Sequence, residues 1–222
     1  MNKVLVIAVH PDDETLGCGG TLLKHLKTGD ETHWLIATCM KKGKGFTAAE
    51  VSKRAGEIGK VRGLYGFKGV HQLGISTTTA DTLPMSAIVS GLSSVIKKVR
   101  PDIVYLPFMC DPHSDHRILF QAACSCIKSF RYPFIRKALM METLSETEFS
   151  PAVQNMAFVP NYFTDITPFF RKKLEIMRIY RSELSSHPFP RSERNIEALA
   201  TLRGASSNCE YAEAFMLLKE IA

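Results

Sequence analysis

The first half of the chain alternates short apolar runs with helix-period segments, and that alternation restricts the fold more than any other feature. Lys3–Val9 (KVLVIAV) is a continuous β-branched run of the kind buried on both faces of a sheet. A helix is expected from about Glu14 to Lys27, a strand at Thr32–Cys39 and a helix at Thr47–Gly63. A short strand at Val70–Leu73, a helix at Leu83–Val99, a strand at Asp102–Phe108 and a helix at Ser114–Lys128 complete the pattern. Successive strand–helix units read as a parallel sheet, because parallel neighbours need a crossover and the crossover helices cover both faces. The second half is less regular. Strands are expected at Ala138–Glu142 and Asn161–Ile166, and a helix at Pro168–Arg181 opened by proline. A proline-rich loop follows at His187–Arg191, then a helix at Ser192–Gly204 and a last edge strand at Ala214–Leu218. No linker or repeat interrupts the pattern, so residues 1–222 are expected to form one α/β domain.

Composition narrows the functional classes. With 45% hydrophobic and 23% charged residues the chain is neither disordered nor fibrous. No run approaches the roughly 20 apolar residues of a membrane span, and Val4–Val9 is too short for a signal-peptide core, so a cytoplasmic protein is expected. The six cysteines then read as reduced thiols, and Cys124-Cys126 as a lone C-x-C without a partner pair for structural zinc. The formal charge of +6 raises the question of an anionic partner.

Open parallel sheets place their sites beyond the carboxyl ends of the strands. After the first strand the chain reads His10-Pro11-Asp12-Asp13-Glu14. Pro11 holds His10 extended at the strand tip and starts the helix, so one imidazole and two carboxylates crowd a helix N-terminus. The turn lacks the Gly-x-Gly of a dinucleotide loop, and its carboxylates would repel phosphate, so a cation is the better guest. After the fourth strand comes Asp111-Pro112-His113-Ser114-Asp115-His116. His113 and His116 share one face of a starting helix, with Asp115 available to orient a ring nitrogen. If the two turns meet, His10, Asp13 and His116 supply two imidazoles and a carboxylate with a position left for water, as in catalytic zinc sites. Asp12 is then left as general base, and His113 to donate a proton or stabilise an oxyanion. His25, His33, His71 and His187 lie outside these turns and read as structural.

VIAVHPDDETLGCGGTL and DPHSDHRILFQAA resemble the two signatures of the LmbE-like, or PIG-L, zinc-dependent N-acetylglucosaminyl deacetylases. Arg54-Ala-Gly-Glu57, PNYFTDIT at 160–167 and HPFPRS…ALATLRG…EYAEAF add weaker matches, extending the resemblance over nearly the whole chain. It implies a single Rossmann-like domain and hydrolysis of the N-acetyl group of an N-acetylglucosamine-type sugar that is free, glycosidic, nucleotide-linked or lipid-linked. It also implies one Zn2+ per chain, another divalent metal fitting the same donors, at His10, Asp13 and His116. Asp12 matches the general base and His113 the histidine that assists the tetrahedral intermediate. Asp115 matches that histidine's orienting partner, and Arg54 an arginine that approaches substrate. The family often forms oligomers, so a homo-oligomer is an open expectation, although no interface stripe is visible.

Two rivals are weaker. A metal-dependent phosphoester hydrolase would be expected to carry more carboxylates for a second metal. A basic binding module leaves both histidine clusters unexplained, so no nucleic-acid partner is expected. The charge excess is local: residues 41–68 hold eight basic and two acidic side chains, the whole of the +6. This segment is expected to form a positive rim for an anionic substrate. Arg171-Lys172-Lys173 reads as a solvated face. Trp34, Phe108, Tyr162, Phe163, Phe169 and Phe170 read as core.

Overall fold

The first strand, β1 (Lys3–Ala8), is the centre of the molecule. Val4, Val6 and Ala8 join a buried cluster on one face of the sheet, and Leu5, Ile7 and Val9 a second on the other. The two clusters, of 24 and 22 residues, are nearly equal, so the sheet is sandwiched and not one-sided. The computed structural model describes residues 1–222. After β1 come α1 (Asp13–Lys27), β2 (Glu31–Cys39), α2 (Ala48–Tyr65), β3 (Gly69–Ser76), α3 (Met85–Val99), β4 (Ile103–Leu106) and α4 (Ser114–Ser125). The second half adds β5 (Lys137–Met141), β6 (Tyr162–Asp165), α5 (Phe170–Met177), α6 (Glu193–Ser207) and β7 (Ala212–Glu220).

The seven strands form one sheet in the order β3-β2-β1-β4-β5-β7-β6. β3, β2, β1, β4 and β5 are parallel, whereas β7 pairs antiparallel with both β5 and β6. This is the expected α/β class with a mostly parallel, Rossmann-like sheet. The chain leaves β1 towards β2 on one side and returns to β4 on the other, so the order reverses at β1. That reversal opens a crevice beyond the carboxyl ends of β1 and β4. The last strand is not an edge: β7 lies inside the sheet and β6 takes the edge. The reading of β7 from its own residues could not see that a later strand can insert between two earlier ones.

The helix expected at Pro168–Arg181 is broken into a short 3-10 turn at Thr167–Phe169, with proline in its first turn, and α5, which ends at Met177. Lys173 of α5 is not solvated. It is buried and donates to Glu213 Oε1 at 2.7 Å and to the Leu16 carbonyl at 2.9 Å. The reason lies in α1, which kinks at Cys18 (φ −148°, ψ 22°). Beyond the kink a second helical segment starts, and its free N–H groups need acceptors. The Glu213 carboxylate from β7 takes those of Gly20 at 2.8 Å and Thr21 at 2.7 Å. α1 lies against the sheet at a distance only glycine permits. A Cβ at Gly17 would stand 2.7 Å from Met141 Sδ, and one at Gly20 2.7 Å from Ile166 Cβ. Glu213→Ala would leave Lys173 charged, buried and unpaired, and the expected cost is about 3–5 kcal/mol. In a chain of this size that lowers Tm by roughly 6–20 °C; a thermal scan showing no change would contradict the pairing.

Trp34 and Phe108 are buried as core residues, while Tyr162, Phe163 and Phe169 are partly exposed. Two of the histidines outside the two turns are held by structural hydrogen bonds. His25 bonds Asp30 at 2.8 Å and Tyr105 at 3.0 Å, and His33 bonds Glu31 at 2.9 Å. All six cysteines are unpaired, and no helix is long and apolar enough to cross a membrane.

Candidate active site

The two histidine turns meet at the crevice. His10 Nδ1 lies 3.3 Å from His116 Nε2, which lies 3.5 Å from Asp13 Oδ2. Each position has a local cause. Asp13 does not cap its own helix; its Oδ2 turns back and accepts the N–H groups of Val9 and His10, each at 2.8 Å, which closes the end of β1. His116 sits in the first turn of α4, fully buried, and its Nδ1 lies 2.8 Å from Asp111 Oδ2. Asp111 is held in turn by the Thr147 hydroxyl at 2.8 Å. With Nδ1 donating to that carboxylate, Nε2 is left as a lone pair facing His10 and Asp13.

These residues fit a divalent cation. Two imidazoles and a carboxylate converge with their donor atoms within 4.8 Å of one another, a borderline-soft set that suits zinc and leaves a coordination position open. Burial opposes a charge on His116, yet Asp13 and Asp111 outweigh it and hold the imidazole up at about 9. The cavity therefore already attracts positive charge, and a metal takes the place of that proton. His10 Nε2 is buried without a hydrogen-bond partner. It points towards Asp115 Oδ2, 3.6 Å away.

Asp12 lines the same cleft and is buried. Burial first, then Asp13, Glu183 and Glu14, push its carboxyl well above the usual range, with Arg191 opposing. A carboxylate so placed accepts a proton readily. His113 begins α4, and its Nδ1 accepts the N–H of Asp115 at 3.1 Å. Nδ1 therefore carries no proton, the neutral ring holds its hydrogen on Nε2, and Nε2 becomes a donor. Burial, then His10 and His116, lower the pKa of His113 and keep it neutral.

Asp115 has a different place from the one expected. Its carboxylate accepts the N–H groups of Thr78 at 2.7 Å and Ala80 at 3.0 Å and faces His10; only its backbone N–H contacts His113. Against burial, the facing His10 imidazole first, then the N–H groups of Ala80 and Thr78, hold it below the usual carboxylate range. The side chain that orients His116 is Asp111, which opens the same motif but carried no distinguishing signal. Arg54 lines the cleft but is buried and engaged. It donates to the Pro11 carbonyl at 2.8 Å and pairs with Glu57 at 3.0 Å and with Glu183.

Three further charged groups line the cleft, which encloses about 280 Å³, near the small end of ligand sites: Glu146, Glu183 and Arg191. Arg191 lies 3.9 Å from Asp12 and 3.2 Å from Glu183, and donates to Ser145 Oγ at 3.0 Å. It stands in the HPFPRS segment, whose local pattern carries nothing to link it with residues 10–13. Of the eight basic side chains in segment 41–68, Arg54 alone lines the cleft, and Lys53 and Lys60 line a separate groove with Arg178 and Arg181. The segment does not form one rim.

Comparison with known proteins agrees with this geometry. Residues 5–127 match the PIG-L family, described as GlcNAc-PI de-N-acetylase. The chain is 28% identical over 223 residues to a diacetylchitobiose deacetylase of Thermococcus kodakarensis, covering 96% of this chain and 82% of that one. Its fold is that of an N,N'-diacetylchitobiose deacetylase from Pyrococcus horikoshii, with TM-score 0.77 and 24% identity over 98% of this chain and 84% of the other. The fold also occurs in GalB, a 4-carboxy-2-hydroxymuconate hydratase of Pseudomonas putida KT2440, with TM-score 0.74 and 17% identity over 100% and 98% of the two chains. The architecture therefore serves more than one reaction, and the site has to decide between them. The family match spans both histidine turns and more than half of the sequence, and the chain belongs to the PIG-L de-N-acetylase family.

Proposed function

We propose that this protein is a metal-dependent N-deacetylase that hydrolyses the acetamide of an N-acetylglucosamine-type sugar to acetate and the free amine. The observation that carries the reading is one cleft holding a three-donor cation site, a buried carboxylate outside that donor set, and a neutral imidazole with an N–H to donate. Zinc at His10, Asp13 and His116 supplies Lewis acidity to the amide and makes water easier to deprotonate. Asp12 accepts the water proton as the water oxygen attacks the acetyl carbon. His113 Nε2–H donates to the former carbonyl oxygen as charge grows on it. The proton on Asp12 then passes to the sugar nitrogen, the C–N bond breaks, and acetate and amine separate.

The Thermococcus kodakarensis relative, named for diacetylchitobiose, supports an N-acetylglucosamine unit. A lysine-bearing loop beside the cleft supports an anionic group beyond that unit. Met40 and Phe46 line the cleft, and the loop between them carries exposed Lys41, Lys42 and Lys44, none in an ion pair. The free thiols support action in a reducing compartment such as the cytosol. The test is acetate release from a panel of N-acetyl sugars: free, disaccharide, inositol-linked and nucleotide-linked. Release from at least one member should vanish with chelator and return with added zinc. No release from any of them with zinc present would overturn the reading. Equal rates at low salt for neutral and phosphorylated members would remove the anionic refinement alone.

A further inference from the structure

The peptide joining Pro11 to Asp12 is gripped on both sides by buried polar side chains. Its carbonyl accepts Arg54 Nη1 at 2.8 Å, and its N–H donates to Glu14 Oε2 at 3.0 Å. Both side chains are almost fully buried, Arg54 at 6% and Glu14 at 0% exposure. The two grips are joined through Tyr180. Its hydroxyl donates to Glu14 Oε1 at 3.0 Å, and its ring lies 5.4 Å from the Arg54 guanidinium carbon. Glu14 Oε1 also accepts the Thr15 hydroxyl at 2.7 Å.

Asp12 has φ +144°, a conformation that costs a non-glycine residue energy and persists only when its surroundings enforce it. On its C-terminal side the Asp12 carbonyl accepts the N–H groups of Thr15 and Leu16, both at 2.9 Å, which fixes it in the first turn of α1. On its N-terminal side, rotating the Pro11–Asp12 peptide would relieve φ, and that rotation would break the Arg54 and Glu14 bonds together. The Asp12 side chain makes no capping bond of its own to the helix. The backbone thus sets where its carboxylate points, with Arg191 Nη1 3.9 Å from Oδ2 on the cleft side, and the backbone is held by the two grips.

We infer that Arg54 and Glu14 are positioning residues that clamp the Pro11–Asp12 peptide so that the Asp12 carboxylate faces the reacting water. Arg54 therefore serves the base and not the substrate. This rests on the reading of Asp12 as general base. Misplacing a reacting group by about 1 Å costs on the order of 100-fold in rate.

The test measures kcat, KM and bound zinc in Arg54→Met, Glu14→Ala and Glu14→Gln, alone and in an Asp12→Ala background. Arg54→Met and Glu14→Ala should each lower kcat by roughly 10–100-fold, with KM nearly unchanged and one zinc retained. Glu14→Gln keeps a carbonyl acceptor for the Asp12 N–H and should recover most of the rate. The Arg54→Met/Glu14→Ala double variant should lose little more than either single one, because both act through one peptide. In the Asp12→Ala background, Arg54→Met should leave the residual rate unchanged, since no base remains to aim. A raised KM for Arg54→Met with kcat preserved, or a further loss in the Asp12→Ala background, would overturn the clamp and restore Arg54 to substrate binding. If Arg54→Met does not fold, the two Glu14 variants decide alone: Glu14→Gln no better than Glu14→Ala overturns the inference. Full turnover by Asp12→Ala would instead remove the base assignment itself, and the clamp with it.

Discussion

Asp12→Ala should lower kcat by about 10²–10⁴-fold while one equivalent of zinc stays bound. The two readouts separate because Asp12 is outside the proposed donor set of His10, Asp13 and His116. Removing it takes away the proton acceptor and leaves the cation site in place. Stability should not suffer. The carboxylate is buried among Asp13, Glu183 and Glu14, a crowding that Arg191 and Arg54 offset only in part. Tm should therefore be no lower than that of the unsubstituted protein, as expected where a site is built at the expense of stability. An enzyme that turns over at the normal rate without this side chain would exclude Asp12 as base.

Asp13→Ala should abolish activity by another route, the loss of metal. The donor set drops from three groups to two, and the N–H groups of Val9 and His10 lose the oxygen that each holds at 2.8 Å. Losing a partner outside the donor set usually costs 10–100-fold in affinity. Losing a ligand together with the bonds that close the strand end should exceed about 100-fold. Elemental analysis after dialysis reads this directly. A full equivalent of zinc in Asp13→Ala would remove Asp13 from the site. Paired with Asp12→Ala, the experiment distinguishes a residue that holds the cation from one that moves the proton.

Much of the fold follows from short-range patterns. The apolar run before His10, the helices between successive strands and the proline after His10 are local preferences, and local preferences are visible in one dimension. The same holds for the spacing of His113 and His116, which places both on one helical face. Local patterns mislead where distant segments decide. Lys173 looks solvated in its own helix, and is buried because Glu213, forty residues later, follows it into the gap above the kink in α1. β7 looks like an edge until β6 is seen beyond it. Asp115 and Asp111 are equally good candidates to orient a histidine by spacing; the fold turns Asp111 to His116 and Asp115 to His10. Arg54 has the chemistry of a substrate binder, yet its guanidinium is consumed by Pro11, Glu57 and Glu183.

By itself the sequence determined the class of fold and the ingredients of the site. Both depend on residue type and on spacings of a few positions, which a chain displays before it folds. Only the tertiary structure decided which carboxylate serves which imidazole, where Arg191 and Glu183 close the cleft, and what holds Asp12 in a backbone conformation it would not adopt alone. Those are contacts between segments up to some 180 residues apart, as from Asp12 to Arg191. Their partners are selected by distance and burial in three dimensions, for which no local pattern is a substitute.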